Sequence, residues 1–227
     1  MSVLLVLLMF AIFVTIDYVR TRQRGEEPVV APAMGKEAIP AMAAEEPQRV
    51  GGFRIPKNLR YHPGHGWVMS ERRNLARVGV DDIAATVLGP VDKIQLPTPG
   101  RWIRQGQRVM SFFRDGQKVE MNSPVEGEVL EVNQELLANP KKLHNDPYGE
   151  GWLMTVHVPD EESVQRNFMP KKIVRAWIQE AVDRLYMRQP QLAGAVMAEG
   201  GEPVRDLTAA LPAATWKELA EEILQTE

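Results

Sequence analysis

The chain has no cysteine among its 227 residues. That removes disulfides, thiolate metal sites and cysteine nucleophiles together. There are four histidines, His62, His65, His144 and His157, and no clustered carboxylates accompany them. His62 and His65 are three apart, a spacing that can ligate a metal on a helix, but Pro63-Gly64 makes this segment a turn. We therefore expect no metal site. Glycine-rich phosphate loops and serine nucleophile motifs are also missing. So is charge of one sign: the net charge is −3 and the basic residues form no stripe, so no nucleic-acid surface is expected. Asp81 and Asp82 are adjacent acids, but they stand where a helix starts, and capping accounts for them. What remains is a globular composition, 44% hydrophobic and 25% charged.

The chain begins with an apolar run, Val3 to Ile16, which Tyr18 and Val19 extend past Asp17. Residues 1–19 as a helix would span roughly 28 Å, about one hydrocarbon core. No positive charge precedes the run and no small-residue cleavage site follows it promptly, so it reads as a membrane anchor rather than a removed signal. Arg20, Arg22 and Arg24 follow at once, which places the rest of the chain in the cytoplasm by the positive-inside bias. Residues 20–51 are rich in Pro, Ala and Glu without a hydrophobic period and read as an extended linker.

Residues 52–160 change to short strands punctuated by Gly and Pro, the pattern of a compact β-sandwich. Expected strands include Ala76–Val80, Val91–Leu96, Arg108–Phe113, Val129–Val132 and Leu153–Val158, with one short helix at Asp82–Leu88 capped by Asp81. Asp115-Gly116 lies between two extended runs, a strong two-residue hairpin signal. Alternation turns one of Phe112 and Phe113 inward and the other outward, as core or as contact. Residues 161–227 read as a helical C-terminal extension. Val174, Trp177, Ile178, Ala181, Val182 and Leu185 form one apolar face, with Pro170 in the first turn and Pro190 beyond the end. Thr215-Trp216-Lys217-Glu218 reads as a capping box opening a second helix, whose apolar face is Trp216, Leu219, Ala220, Ile223 and Leu224.

Several motifs fall in one register. They are His65-Gly66-Trp67-Val68; Val78-Gly79-Val80-Asp81-Asp82 with Leu88-Gly89; and Gln95-Leu96-Pro97 with Gly100. Pro124-Val125-Glu126-Gly127-Glu128-Val129 continues into Glu131-Val132-Asn133, and Asn145-Asp146-Pro147-Tyr148-Gly149-Glu150-Gly151-Trp152-Leu153 closes the series. Together, without a gap from Val78 to Leu153, they resemble the glycine cleavage system H protein family over somewhat under half the chain.

The resemblance implies a mainly β, lipoyl-type (barrel-sandwich hybrid) fold, here with a transmembrane helix before it and the helical extension after it. It implies a carrier with no active site of its own, whose lipoyl group sits on a lysine at a hairpin tip. In this register that lysine position is Gly116, and the family's glutamate three residues earlier falls on Phe113. Lys118 lies two residues on, in the returning strand, and is expected to be a solvated strand lysine. Two expectations follow. The first is a membrane-tethered, non-lipoylated adaptor without a cofactor, binding cytoplasmic proteins, among them lipoate-dependent enzymes. The second is a lipoyl carrier of glycine cleavage or a related pathway, modified at Lys118. Trp152, in the closing motif, is expected to be largely buried.

Overall fold

The computed structural model describes residues 48–159, 167–188 and 213–225. The Met1–Val19 run, Pro190 and the Gly194–Gly201 stretch lie outside them. Among the described residues, no helix is long and apolar enough to cross a membrane.

The strands are β1 (Gln48–Val50), β2 (Phe53–Ile55), β3 (Arg60–Tyr61), β4 (Gly66–Arg72), β5 (Leu75–Val80), β6 (Lys93–Gln95), β7 (Trp102–Ile103), β8 (Arg108–Arg114), β9 (Gln117–Asn122), β10 (Gly127–Val132) and β11 (Met154–His157). Short helices α1 (Asp82–Leu88), α2 (Gln134–Ala138) and α3 (Lys141–Asn145) interrupt them, and α4 (Val174–Arg188) and α5 (Ala213–Leu224) follow. A six-stranded sheet runs β3-β4-β5-β11-β10-β7, and a three-stranded sheet runs β6-β8-β9. Period-2 alternation explains the core between them. Val78, Val80, Val129 and Val156 point inward from the larger sheet, and Met110, Phe112, Val119 and Met121 from the smaller, all essentially buried. The described architecture is thus the expected mainly β sandwich.

Both C-terminal helices bury the faces read from their spacing: Trp177, Ile178, Ala181, Val182 and Leu185 on α4, and Trp216, Leu219, Ala220, Ile223 and Leu224 on α5. Asp81 caps α1 as expected, its Oδ1 accepting the Ala84 N–H at 2.9 Å.

Three expectations need correction. β1 lies inside the stretch read as linker. It pairs with β2 across Gly51-Gly52, both at positive φ, because Val50, Phe53 and Ile55 supply buried side chains that composition alone disguised. Pro170 is not in the first turn of α4, which starts at Val174; a separate turn closes from the Ile173 N–H to the Pro170 carbonyl. Thr215 does not open α5, which starts at Ala213; a helix already begun on two alanines carries through the capping-box residues. Trp152 is largely buried, as expected, though short of full burial. It sits at the core margin, under the Arg77 guanidinium at 4.8 Å from its ring centroid.

Candidate functional site

The hairpin of β8 and β9 pairs Arg114 with Gln117 and leaves Asp115-Gly116 as a two-residue turn. Both residues have positive φ, 49° and 74°, as the favoured hairpin turn demands. The tip is held from behind. Asp92 Oδ2 accepts the Asp115 N–H at 2.9 Å, and the Asp92 N–H donates to the Phe113 carbonyl at 2.7 Å. Arg114 donates to the Leu88 carbonyl at 3.3 Å and lies 5.9 Å from the centroid of the Trp216 ring. The Trp216 indole N–H in turn donates to the carbonyls of Val87 and Leu88, at 3.1 and 3.2 Å. A rigid apex results. A Cβ added at Gly116 would meet nothing within 4 Å.

Alternation below the apex is as expected: Phe112 is fully buried and Phe113 half-buried on the outer face. Lys118 lies opposite Phe113 in β9, away from the apex, its side chain 46% exposed and its ammonium 2.6 Å from Glu120. The Lys118 hydrogen bond holds the Glu120 carboxyl below its ordinary range. Among the described residues, no group of three or more potential ligands could hold a metal.

The other motif residues build the frame. His65 Nδ1 meets Asp81 Oδ2 at 2.7 Å while its ring stacks on Trp177, 4.6 Å between centroids. The Trp67 indole N–H donates to the Pro147 carbonyl at 3.1 Å, and a side chain at Gly79 would collide with the Trp67 ring. Asp82 grips Arg54 through both carboxylate oxygens. Tyr148 Oη donates to the Arg54 carbonyl at 2.8 Å and accepts the Asp82 N–H at 3.0 Å. Burial, with Tyr61, Asp81 and Asp82 nearby, pushes the Tyr148 phenol well above the ordinary tyrosine range, so it stays a neutral donor. Asn133 caps α2 through Oδ1 and donates to the carbonyls of Glu150 and Trp152, at 2.8 and 2.9 Å. Asp146 accepts the N–H groups of Gly149 and Glu150. Gly89 ends α1 at φ 63°, Gly127 backs onto the His157 carbonyl, and Pro97 and Pro124 are buried. None of these residues lies at the hairpin tip. The tip clamp of Asp92, Arg114 and Trp216 was missed by sequence reasoning. Only the tryptophan of the capping-box segment hinted at it, and nothing there told which carbonyls it would reach.

Fold and hairpin together define a lipoyl-type sandwich domain whose apex carries glycine. Residues 59–181 match the family model described as Glycine cleavage H-protein. The chain is 37% identical over 106 residues to the glycine cleavage system H protein of Mycobacterium leprae, covering 47% of this chain and 80% of that one. It is 31% identical over 124 residues to a probable glycine cleavage system H protein of Aeropyrum pernix, covering 55% and 86%. A crystal structure of a glycine cleavage system H protein from Mycobacterium marinum is similar at 27% identity and TM-score 0.43, covering 46% of this chain and 87% of that one. The chain belongs to the glycine cleavage H-protein family.

Proposed function

We propose that this family member is a non-lipoylated adaptor. Its sandwich binds cytoplasmic protein partners, lipoate-dependent enzymes among them, and residues 1–19 tether it to a membrane. The observation that carries the reading is the apex. Asp115-Gly116 fills the two-residue turn, so no amine stands where a swinging arm would attach, and Lys118 is paired with Glu120 further down the strand. The carrier alternative rests on Lys118, two residues past Gly116 in the returning strand, whose side chain is still partly exposed.

Intact mass of the protein from its native host separates the two, since a lipoyl group adds a fixed increment. The unmodified mass is expected, as is no modification on incubation with lipoate ligase and lipoate. Gly116→Lys restores the amine, and adding Phe113→Glu restores the carboxylate the family resemblance implies for ligase recognition. The double variant is expected to be the better substrate. Lipoylation of the wild type that Lys118→Arg abolishes would replace the adaptor with the carrier. For the tether, full-length protein is expected to sediment with membranes and resist carbonate extraction; free solubility without detergent would remove that part of the reading.

A further inference from the structure

Charge is spread unevenly over this chain of net charge −3. Residues 48–70, which carry β1 to β3 and most of β4, contain no Asp or Glu. Neither do residues 167–179, which lead into α4 and open it. The first stretch holds Arg49, Arg54, Lys57 and Arg60, the second Lys171, Lys172 and Arg175. The fold lays the two side by side. The Met169 N–H donates to the Tyr61 carbonyl at 2.8 Å, the Phe168 and His62 rings meet edge-on with centroids 6.2 Å apart, and Trp177 packs beside Tyr61. Arg54 is committed to Asp82, and Arg49 and Lys57 make contacts of their own. Lys171, Lys172 and Arg175 are exposed, and no ion pair joins them to a carboxylate among the described residues. The next acids along α4 are engaged elsewhere, Glu180 with Arg184 at 4.0 Å and Asp183 with Gln179 at 2.9 Å.

Two further features mark this corner. Ile173 stands among the cations, 46% exposed. The cations also occupy the unfavourable end of the helix. The N-terminus of α4 carries the positive end of the backbone dipole, where acids stabilise, and its first turn has none. We infer that this corner rests on an anionic bilayer, with Lys171, Lys172 and Arg175 at the lipid phosphates and Ile173 at the headgroup boundary. The inference rests on the tether reading and names the surface that the domain turns to the membrane. β1, the first described strand, packs on α4, so the chain arriving from residues 1–19 enters the domain alongside that helix. Magnitudes favour the bilayer over an acidic protein. Each cation near an anionic surface gains roughly fivefold in partition, so three of them hold weakly. A freely diffusing partner held by so little dissociates at once. Residues 20–47 as a coil span about 30 Å, and a bilayer tethered at that distance presents its headgroups at a local concentration on the order of millimolar.

The chain has no cysteine, so a single one can be labelled alone. The full-length chain is placed in nanodiscs with a fluorophore on Ala176→Cys, an exposed position beside Arg175, and contact-range quenchers on the lipid headgroups. Leu130→Cys, exposed on β10, is the control. Adding phosphatidylglycerol to phosphatidylcholine is expected to quench the label at 176 and leave that at 130 unchanged, and added salt is expected to reverse the quenching. The charge reversal Lys171→Glu, Lys172→Glu and Arg175→Glu is expected to lower the ratio of quenched to unquenched label at least about tenfold. The same reversal puts acids at a helix N-terminus, so its thermal midpoint in detergent is expected to hold or rise. A lowered midpoint would make the cations structural and overturn the proposal. Quenching that is equal with and without phosphatidylglycerol, equal at both positions, or indifferent to the reversal overturns it as well. Shielding of the label by a glutamate decapeptide, where anionic discs give none, assigns the corner to an acidic protein and equally overturns it. A chain that does not enter the discs removes the tether reading itself. One that enters them without anionic contact at position 176 removes only this inference.

Discussion

The closing turn, Asp146 to Trp152, and the hairpin tip, Arg114 to Lys118, are both glycine-bearing turns, and they are constrained in opposite ways. In the closing turn a Cβ at Gly151 would lie 2.7 Å from the Asp146 carbonyl and 2.9 Å from Pro147 Cα, all backbone that has nowhere to go. At the tip a Cβ on Gly116 meets open solvent, and only its φ of 74° favours glycine. One turn is held by packing. The other is held by its own backbone and by the clamp behind it, and its apex residues Asp115 and Gly116 are exposed. The difference shows that the tip has room for a side chain where the closing turn has none.

The largest expected effect is in the frame. Trp67→Ala removes a fully buried indole and its bond to the Pro147 carbonyl, and is expected to cost about 3–5 kcal/mol in denaturant unfolding. Trp152→Ala, short of full burial at the margin, is expected to cost roughly half as much; equal losses would mean that the margin behaves as core. Gly151→Ala against Gly116→Ala sharpens the contrast directly. The first is expected to cost about 2–3 kcal/mol through overpacking against backbone, the second about 1 kcal/mol for a side chain at positive φ. Similar values at the two sites would break the comparison. The smallest effect depends on pH. Burial pulls the His62 pKa below its ordinary 6.5, so the unfolded chain binds that proton first. Stability from the neutral ring is then full above the unfolded value and is lost as pH falls through 6.5 towards the lowered folded value. His62→Asn keeps an acceptor for the Gly64 N–H, now made to His62 Nδ1 at 3.2 Å, and removes the titration. Unfolding midpoints at pH 8 and pH 5.5 are expected to differ less in this variant than in wild type.

Local chemistry explains what the sequence made legible. The Asp115-Gly116 turn, the Asp81 cap and the alternation of Phe112 and Phe113 each follow from residues a few positions apart, and all are found. The faces of α4 and α5 follow from three- and four-residue spacing. Less legible was anything decided by a distant partner. Three residues suffice for β1, but only because β2 pairs with it and Val182 of α4 lies against Gly51. Trp152 carries a motif position, yet the edge of the core, rather than the residue type, sets its exposure. The Asp92 clamp uses an ordinary surface acid whose role depends on where the hairpin returns. The Asp-Gly pair marked Gly116 as a turn residue, and the turn geometry agrees with it.

The indole of Trp216 reaches the Leu88 carbonyl across 128 residues of chain. Closing so long a loop has an entropic cost that only contacts already in place can offset. During synthesis from the N-terminus, the hairpin therefore exists before the brace that steadies it. For that interval Arg114 has the Leu88 carbonyl beside it but no aromatic ring above it, and the apex belongs to the sandwich alone.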